Sequence, residues 1–403
     1  MGVTPINRVP LWFFVAWFGS YADLYVFQLT GFKPLYSYFM LLGYFIIWIV
    51  ICRAVPGLNY RGIRRFLVWI GLYLVYGCLA FLNSSQDSEA VQAFITLGEA
   101  VILSGAFVVL FSQVSGLCRV QVIFAMLAVL ATLVNVYDFF HPLFTKVPGR
   151  AAGLYVNPNI AGHFIAMTMV AAIDVVPRRA RFWLILVCGL GVLLTFSRAS
   201  WILWGLGVVW LGWLGQIGPA RNRWAAVSVA GVIGLGVVGL LFSGQIGGLL
   251  THSSVAGHLD ANTLVRLGVG RSSLSGYAAS EREALVWASL RTGAQAPIFG
   301  HGLGFTREWQ YPVGPHDMYL LFWVEGGVIG IFLYLGLMML LWRHSSAVGR
   351  IVAVQLIVAG VFTHNQLEQP AFLIMTAFVF AHHAVRAKKG GRVSPLMSEV
   401  SPA

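Results

Sequence analysis

The chain has 403 residues, of which 58% are hydrophobic and only 10% charged, with a formal net charge of +12. A water-soluble domain carries roughly 25% charged residues to cover its surface, so a soluble globular protein is excluded. The positive charge is divided among many short segments, which points to membrane topology and away from nucleic acid.

Apolar runs long enough to cross a bilayer occur in chain order at 11–29, 35–55, 64–82, 91–111, 120–140, 159–176, 181–197, 199–217, 223–243, 316–342, 349–365 and 370–386. The pattern predicts an all-α, polytopic integral membrane protein with about 12 transmembrane helices. One membrane domain takes up the whole chain, 1–403. The first run carries Asp23 and ends in Gly31-Phe32-Lys33-Pro34, so it reads as a retained helix and not as a cleaved signal. Cys52, Cys78, Cys118 and Cys188 fall in spans or inner connections. No disulfide framework or thiolate metal site follows from them.

Placing both termini in the cytoplasm puts roughly two thirds of the lysines and arginines on the inner side, as the positive-inside rule asks. Outside remain Lys33, Lys146, Arg150, Arg198, Arg266, Arg271, Arg282, Arg291 and Arg307. Between spans nine and ten lies one large periplasmic loop, 244–315. It contains a short helix at about 280–292, where Ser280 and Glu283 fit a capping box. Pro297 and the turn Gly300-His301-Gly302-Leu303-Gly304 follow. That turn lacks the Gly-Lys-Ser/Thr ending of a phosphate loop and reads as a tight return to the membrane.

Two kinds of residue carry candidate chemistry. A guanidinium stays charged and grips phosphate oxygens with two parallel bonds. Arg150 and Arg198 sit in short outer connections where the rule discourages cations, so they point to an anionic substrate. For Arg266, Arg271, Arg291 and Arg307, pairing with headgroups or nearby acids is an equal reading. His316 follows Gly314-Pro315 at the start of a span, where the helix dipole disfavours imidazolium and leaves a neutral base. The alternative is a histidine that merely caps the helix. Competing histidines are His141, His163, His252, His258, His301 and His364. The outer acids Asp87, Glu89, Asp260, Glu281, Glu283, Glu308, Asp317 and Glu368 form no paired cluster of hard oxygen ligands. This predicts metal-free chemistry with no cofactor. The acids inside spans, Asp23, Glu99, Asp138 and Glu325, must face partners within the bundle.

Several segments together resemble the O-antigen ligase and polymerase superfamily. They are Arg150-Ala-Ala-Gly-Leu-Tyr-Val-Asn157-Pro158-Asn159, the turn Thr195-Phe196-Ser197-Arg198, and Arg282 with Trp287. Pro297-Ile-Phe-Gly300-His-Gly302-Leu-Gly304, His316-Asp317-Met318-Tyr319 and Glu325-Gly326-Gly327-Val328-Ile329-Gly330 complete the order. The likeness covers about 150–330. Two positions depart from it: Asp317 stands where the family usually has Asn, and His301 where an aliphatic residue is usual.

The resemblance implies a metal-independent glycosyltransferase at the periplasmic face of a Gram-negative inner membrane. Its donor would be a glycan on undecaprenyl pyrophosphate, and its acceptor a sugar of lipid A-core. The family's essential histidine maps to His316, and its arginines to Arg198 and Arg282, with Arg150 a further pyrophosphate ligand. Asn157, Asn159, Arg266, Arg271, Arg291, Asp317 and Glu368 are secondary candidates, Glu368 as the late acidic residue of the ligases. Membrane lipids surround the chain, and no obligatory protein partner is implied. Two alternatives stay open. One is an O-antigen polymerase or protein O-oligosaccharyltransferase of the same superfamily. The other is a lipid-linked glycan transporter, which should show internal repeats and broken helices.

Overall fold

A computed structural model describes residues 9–52, 60–112, 114–145, 149–218, 277–311 and 314–390, together with 224, 227 and 231. The span expected at 223–243, most of the loop before position 277, and with it Arg266 and Arg271, lie outside the described residues. All regular structure among the described residues is helical. In chain order the helices are α1 (Val9–Gly19), α2 (Ala22–Thr30), α3 (Pro34–Cys52), α4 (Arg61–Leu82), α5 (Ser88–Phe111), α6 (Val114–Phe140), α7 (Pro158–Ala172), α8 (Arg178–Leu193), α9 (Arg198–Trp213), α10 (Tyr277–Gln295), α11 (Phe305–Glu308), α12 (Met318–Arg343), α13 (Ala347–Ala359) and α14 (Pro370–Gly390).

Among the described residues, five helical stretches are long and apolar enough to cross a membrane: Arg61–Leu82, Ser88–Phe111, Leu117–Phe140, Met318–Arg343 and Pro370–Ala387. Helix α4 shows why the surroundings must be lipid. Phe66, Ile70, Tyr73 and Gly77 are buried at helical spacing, while Val68, Leu72, Val75 and Leu79 on the other face are each more than half exposed. An apolar face of that size is tolerated only against hydrocarbon. The expected spans at 159–176, 181–197, 199–217 and 349–365 form helices of only 15, 16, 16 and 13 residues. Fifteen residues rise only about 22 Å. Helix α7 is buried at every position except Asn159; it is the bundle's central strut, apolar all round because protein surrounds it.

Two spans expected to be continuous are interrupted. The first, 11–29, divides at Ser20 and Tyr21. Tyr21 adopts a left-handed backbone (φ 58°), which a bulky residue holds only when its surroundings fix it. Its hydroxyl donates to Gln369 Oε1 at 2.5 Å, and its ring meets Tyr155 edge-on at 5.1 Å.

The second interruption lies in α12 at Gly327 (φ 56°, ψ −149°), a conformation open essentially to glycine alone. The loop backbone fills this break. His301 N and Gly302 N donate to Val324 O (2.9 Å) and Glu325 O (3.1 Å), while Val328 N and Ile329 N donate to Pro297 O (2.8 Å) and Ile298 O (3.4 Å). Four backbone groups at the break are thus met by the incoming loop, as irregular backbone at membrane depth requires. Gly300 is needed because a Cβ there would strike the Glu325 backbone. The glycine-rich turn therefore returns to the membrane as expected, but it enters a helix instead of resting on one.

Helix α10 begins at Tyr277, so Ser280 lies inside its first turn and is not the cap that the sequence suggested. It packs along α12, with Trp323 Nε1 donating to Leu290 O at 3.2 Å. Leu290 meets Trp323, and further on Ile298 meets Ile329, so the two helices run in the same direction.

The connections gather at two ends of the bundle. At one end Asp174 binds His382 (3.0 Å) and Arg386 (2.6 Å), and Ser346 Oγ and His382 Nδ1 share a hydrogen bond of 2.5 Å. Burial pushes the Asp174 carboxyl up, but the hydrogen bonds from His382 and Arg386 outweigh it and hold it well below the usual range. Residues assigned to the cytoplasm, Arg65, Arg181 and Arg386, lie at this end. The other end carries the candidate site.

Candidate active site

The first cluster is built by a buried acid. Asp138, near the end of α6, accepts four backbone hydrogen bonds: Leu143 N (3.1 Å) and Phe144 N (2.9 Å) on Oδ1, and Ala152 N (2.9 Å) and Gly153 N (3.0 Å) on Oδ2. This ties residues 143–144 and 152–153 to the end of α6 and delivers Arg150 to the turn before α9. Arg150 is only 5% exposed. Its Nε donates to Thr195 O (2.8 Å) and its Nη2 to Asn159 Oδ1 (2.9 Å). Ala151 N donates to Leu194 O at 3.0 Å. Asn157 caps α7, its side chain accepting from Asn159 N at 2.9 Å, and Pro158 takes the first helical position, where its missing N–H costs nothing. Ser197 caps α9 by accepting from Ser200 N, and the half-buried Arg198 is the first residue of that helix. Two motifs far apart in sequence thus form one structure. Within it Arg150 serves mainly as a bolt, and Arg198 stands beside it at a helix start.

The second cluster surrounds the start of α12. Asp317 caps the helix, accepting from Tyr319 N (2.7 Å) and Leu320 N (3.2 Å). Burial nevertheless raises its carboxyl above the usual range, against the pull of those amides. His316, just before the cap, is exposed, and its ring centre lies 5.6 Å from that of His364. Met318 N donates to Gly360 O at 2.8 Å, fixing the start of α12 against the end of α13. Glu368, expected as a late acidic partner of the site, pairs with Arg307 at 2.9 Å; Arg307 also approaches Glu89 at 4.0 Å.

Below these residues is a cavity of about 160 Å³. Its walls include Tyr73, Tyr76, Glu325, Arg307, His364 and Glu368. Glu325 is buried and accepts from Thr306 N (3.2 Å) and Thr306 Oγ1 (2.6 Å). His364 Nδ1 is buried without a hydrogen-bond partner. Burial, and secondarily Arg307, hold its imidazole below its usual pKa, so it is neutral.

The clusters are joined. Gln369 next to Glu368 accepts from Tyr21, Tyr21 packs on Tyr155, and Tyr25 donates to Gly153 O (3.1 Å) in the segment that carries Arg150. Arg282 is near the start of α10 and His316 just ahead of α12, so both lie at the same end of that helix pair. Arg291, on α10, is exposed. Glu325 is the residue that the sequence did not suggest here, while Arg307 and His364 stand in it only among several outer arginines and histidines. No local motif marks those two, and Glu325 reads only as a span acid. Among the described residues no three His, Cys, Asp or Glu side chains are grouped to hold a metal.

The sequence model of the O-antigen ligase family matches residues 182–335. The match supports membership of the O-antigen ligase and polymerase superfamily. No curated protein and no solved structure gives a match. The matched stretch runs from α8 into α12 and includes Arg198, Arg282, Arg307, His316 and Glu325. A superfamily ligase or polymerase is a membrane-bound, glycosyltransferase-like enzyme that works on lipid-linked glycans.

Proposed function

We propose that this protein is the ligase type: it transfers an O-antigen glycan from undecaprenyl pyrophosphate to a sugar hydroxyl of lipid A-core, at the periplasmic face of the inner membrane. The observation that carries the reading is the exposed His316 at the start of α12, on the same end of the bundle as the Arg198 turn. In this reading the acceptor oxygen attacks the anomeric carbon, the bond from that carbon to the pyrophosphate oxygen breaks, and His316 takes the hydroxyl proton. Undecaprenyl pyrophosphate leaves. Arg198 and Arg282 neutralise its growing charge by charge-assisted hydrogen bonds, and Arg150 keeps the Arg198 turn in place. A pyrophosphate is a good leaving group, so two guanidiniums and a base suffice without a metal.

The test uses purified protein in liposomes. The donor is lipid-linked glycan, and the acceptor is rough lipopolysaccharide from a strain deleted for this protein. His316→Ala should slow transfer by about 10²–10⁴-fold with donor binding close to normal, and wild-type turnover should survive a chelator. If donor binding collapses with turnover, His316 is a donor ligand and Asp317 becomes the base to examine. Extension of the free lipid-linked glycan, or transfer to protein, in place of transfer to lipopolysaccharide would make the chain a polymerase or a protein oligosaccharyltransferase.

A further inference from the structure

We propose that the groove between α4 and α12, on the lipid-facing side of the bundle, is a track for the polyprenyl tail of the donor. The inference rests on the transferase reading above and adds the place where the lipid half of the donor lies.

The groove has a volume of about 450 Å³. Its rim carries Leu72, Val75, Leu79 and Phe332, each more than half exposed, so it opens sideways to the bilayer. One bond ties the two helices together at each end. Trp69 Nε1 donates to Leu333 O (2.9 Å) near the middle of α4, and Asn83 Nδ2 donates to Gly300 O (3.2 Å) at the site end. The indole N–H and the amide are thereby engaged, so an occupant meets chiefly hydrocarbon. From Trp69 to Asn83 the chain rises about 21 Å, roughly two thirds of a hydrocarbon core. The volume spread along that rise takes one chain lying lengthwise, which suits a single long tail better than the paired chains of a phospholipid. The wall is also notched: at Gly336 a Cβ would meet nothing within 4 Å. A polyprenyl chain carries a methyl branch in every isoprene unit, and such a branch fills a notch that a straight acyl chain leaves empty.

Placement ties the groove to the site. On α12 it reaches Gly326, about 12 Å below the start of that helix, and Tyr76 is a wall shared with the polar cavity that holds Arg307. A tail lying here carries its pyrophosphate up to the level of His316. The gain in affinity is modest, because the tail exchanges one hydrocarbon setting for another. The groove contributes close packing and a fixed position for the reacting head.

The experiment places p-benzoyl-phenylalanine at Phe332 of the full chain in liposomes and, as a control, at the equally lipid-exposed Met126 on α6. The probe is radiolabelled undecaprenyl pyrophosphate. Labelling at 332 should saturate, should be competed by unlabelled undecaprenyl pyrophosphate and not by phosphatidylglycerol, and should be the same in His316→Ala. Labelling at Met126 should not saturate. In the transfer assay Gly336→Phe, which fills the notch, should raise KM about three- to tenfold for the undecaprenyl donor, and leave KM for a farnesyl-linked donor and for the acceptor unmoved. Equal labelling at the two positions, equal competition by phosphatidylglycerol, or a protein–protein crosslink from 332 to a second copy overturns the track. The two ideas fail separately: saturable labelling without transfer to any acceptor keeps the groove and defeats the transferase reading, and transfer with unsaturable labelling defeats the groove alone.

Discussion

Gly327→Ala tests whether the break in α12 holds the site together. The φ of 56° with ψ of −149° lies in a region that costs a residue with a side chain roughly 1–3 kcal/mol. The new methyl would lie 2.6 Å from Pro297 O and 2.7 Å from Ile298 backbone atoms, and these cannot retreat without loosening the bonds from Val328 N and Ile329 N. At about 1 kcal/mol for each bond, the total is roughly 3–5 kcal/mol. The control is Gly336→Ala in the same helix, where a Cβ meets nothing within 4 Å and helix propensity favours Ala by about 1 kcal/mol. Thermal inactivation of the two variants in detergent decides the matter. Gly327→Ala should fail several degrees below wild type and Gly336→Ala should not. Equal inactivation temperatures would refute the claim that the inserted loop depends on this glycine.

Arg198→Ala should slow transfer by roughly 30- to 1000-fold, and Arg198→Lys should recover only part of it because an ammonium lacks the planar fork; single-turnover rates of well-folded protein check this. His364 predicts an acid limb in stability. Its folded pKa lies below the ordinary 6.5, so below pH 6.5 the unfolded chain binds a proton that the folded one resists, and stability falls as the pH drops. Melting curves between pH 7 and 5 should show this limb shallower in His364→Gln. For topology, Gln295→Cys should react with an impermeant thiol reagent from the periplasm and Arg179→Cys only from the cytoplasm, in a background without the four native cysteines; the reverse pattern would place the site on the wrong side.

Hydropathy makes the helical, membrane-crossing nature of the chain legible, because long apolar stretches have one physical use. The Arg150 and Ser197-Arg198 segments are legible too, since capping residues and an arginine in short connections are local signals. What stays hidden is long-range. Gly19 stands at the end of α1, but the left-handed Tyr21 that completes the break is held by Gln369 and Tyr155 from distant segments. Gly326-Gly327 is visible as a pair, yet the apolar pattern runs through it unchanged. Only the partner loop, Pro297 to Gly302, explains the break. Arg307 looks like its neighbours in sequence until Glu368 approaches it, and His364 looks like any histidine until the cavity beside it is known.

The hydrogen bonds between the 297–302 turn and the middle of α12 have a mechanical consequence. They close residues 303–323 into a loop whose two ends are both held by the same helix. A change of length anywhere before Tyr277 is therefore taken up outside that loop, and the spacing between His316, Arg307 and the cavity stays in register.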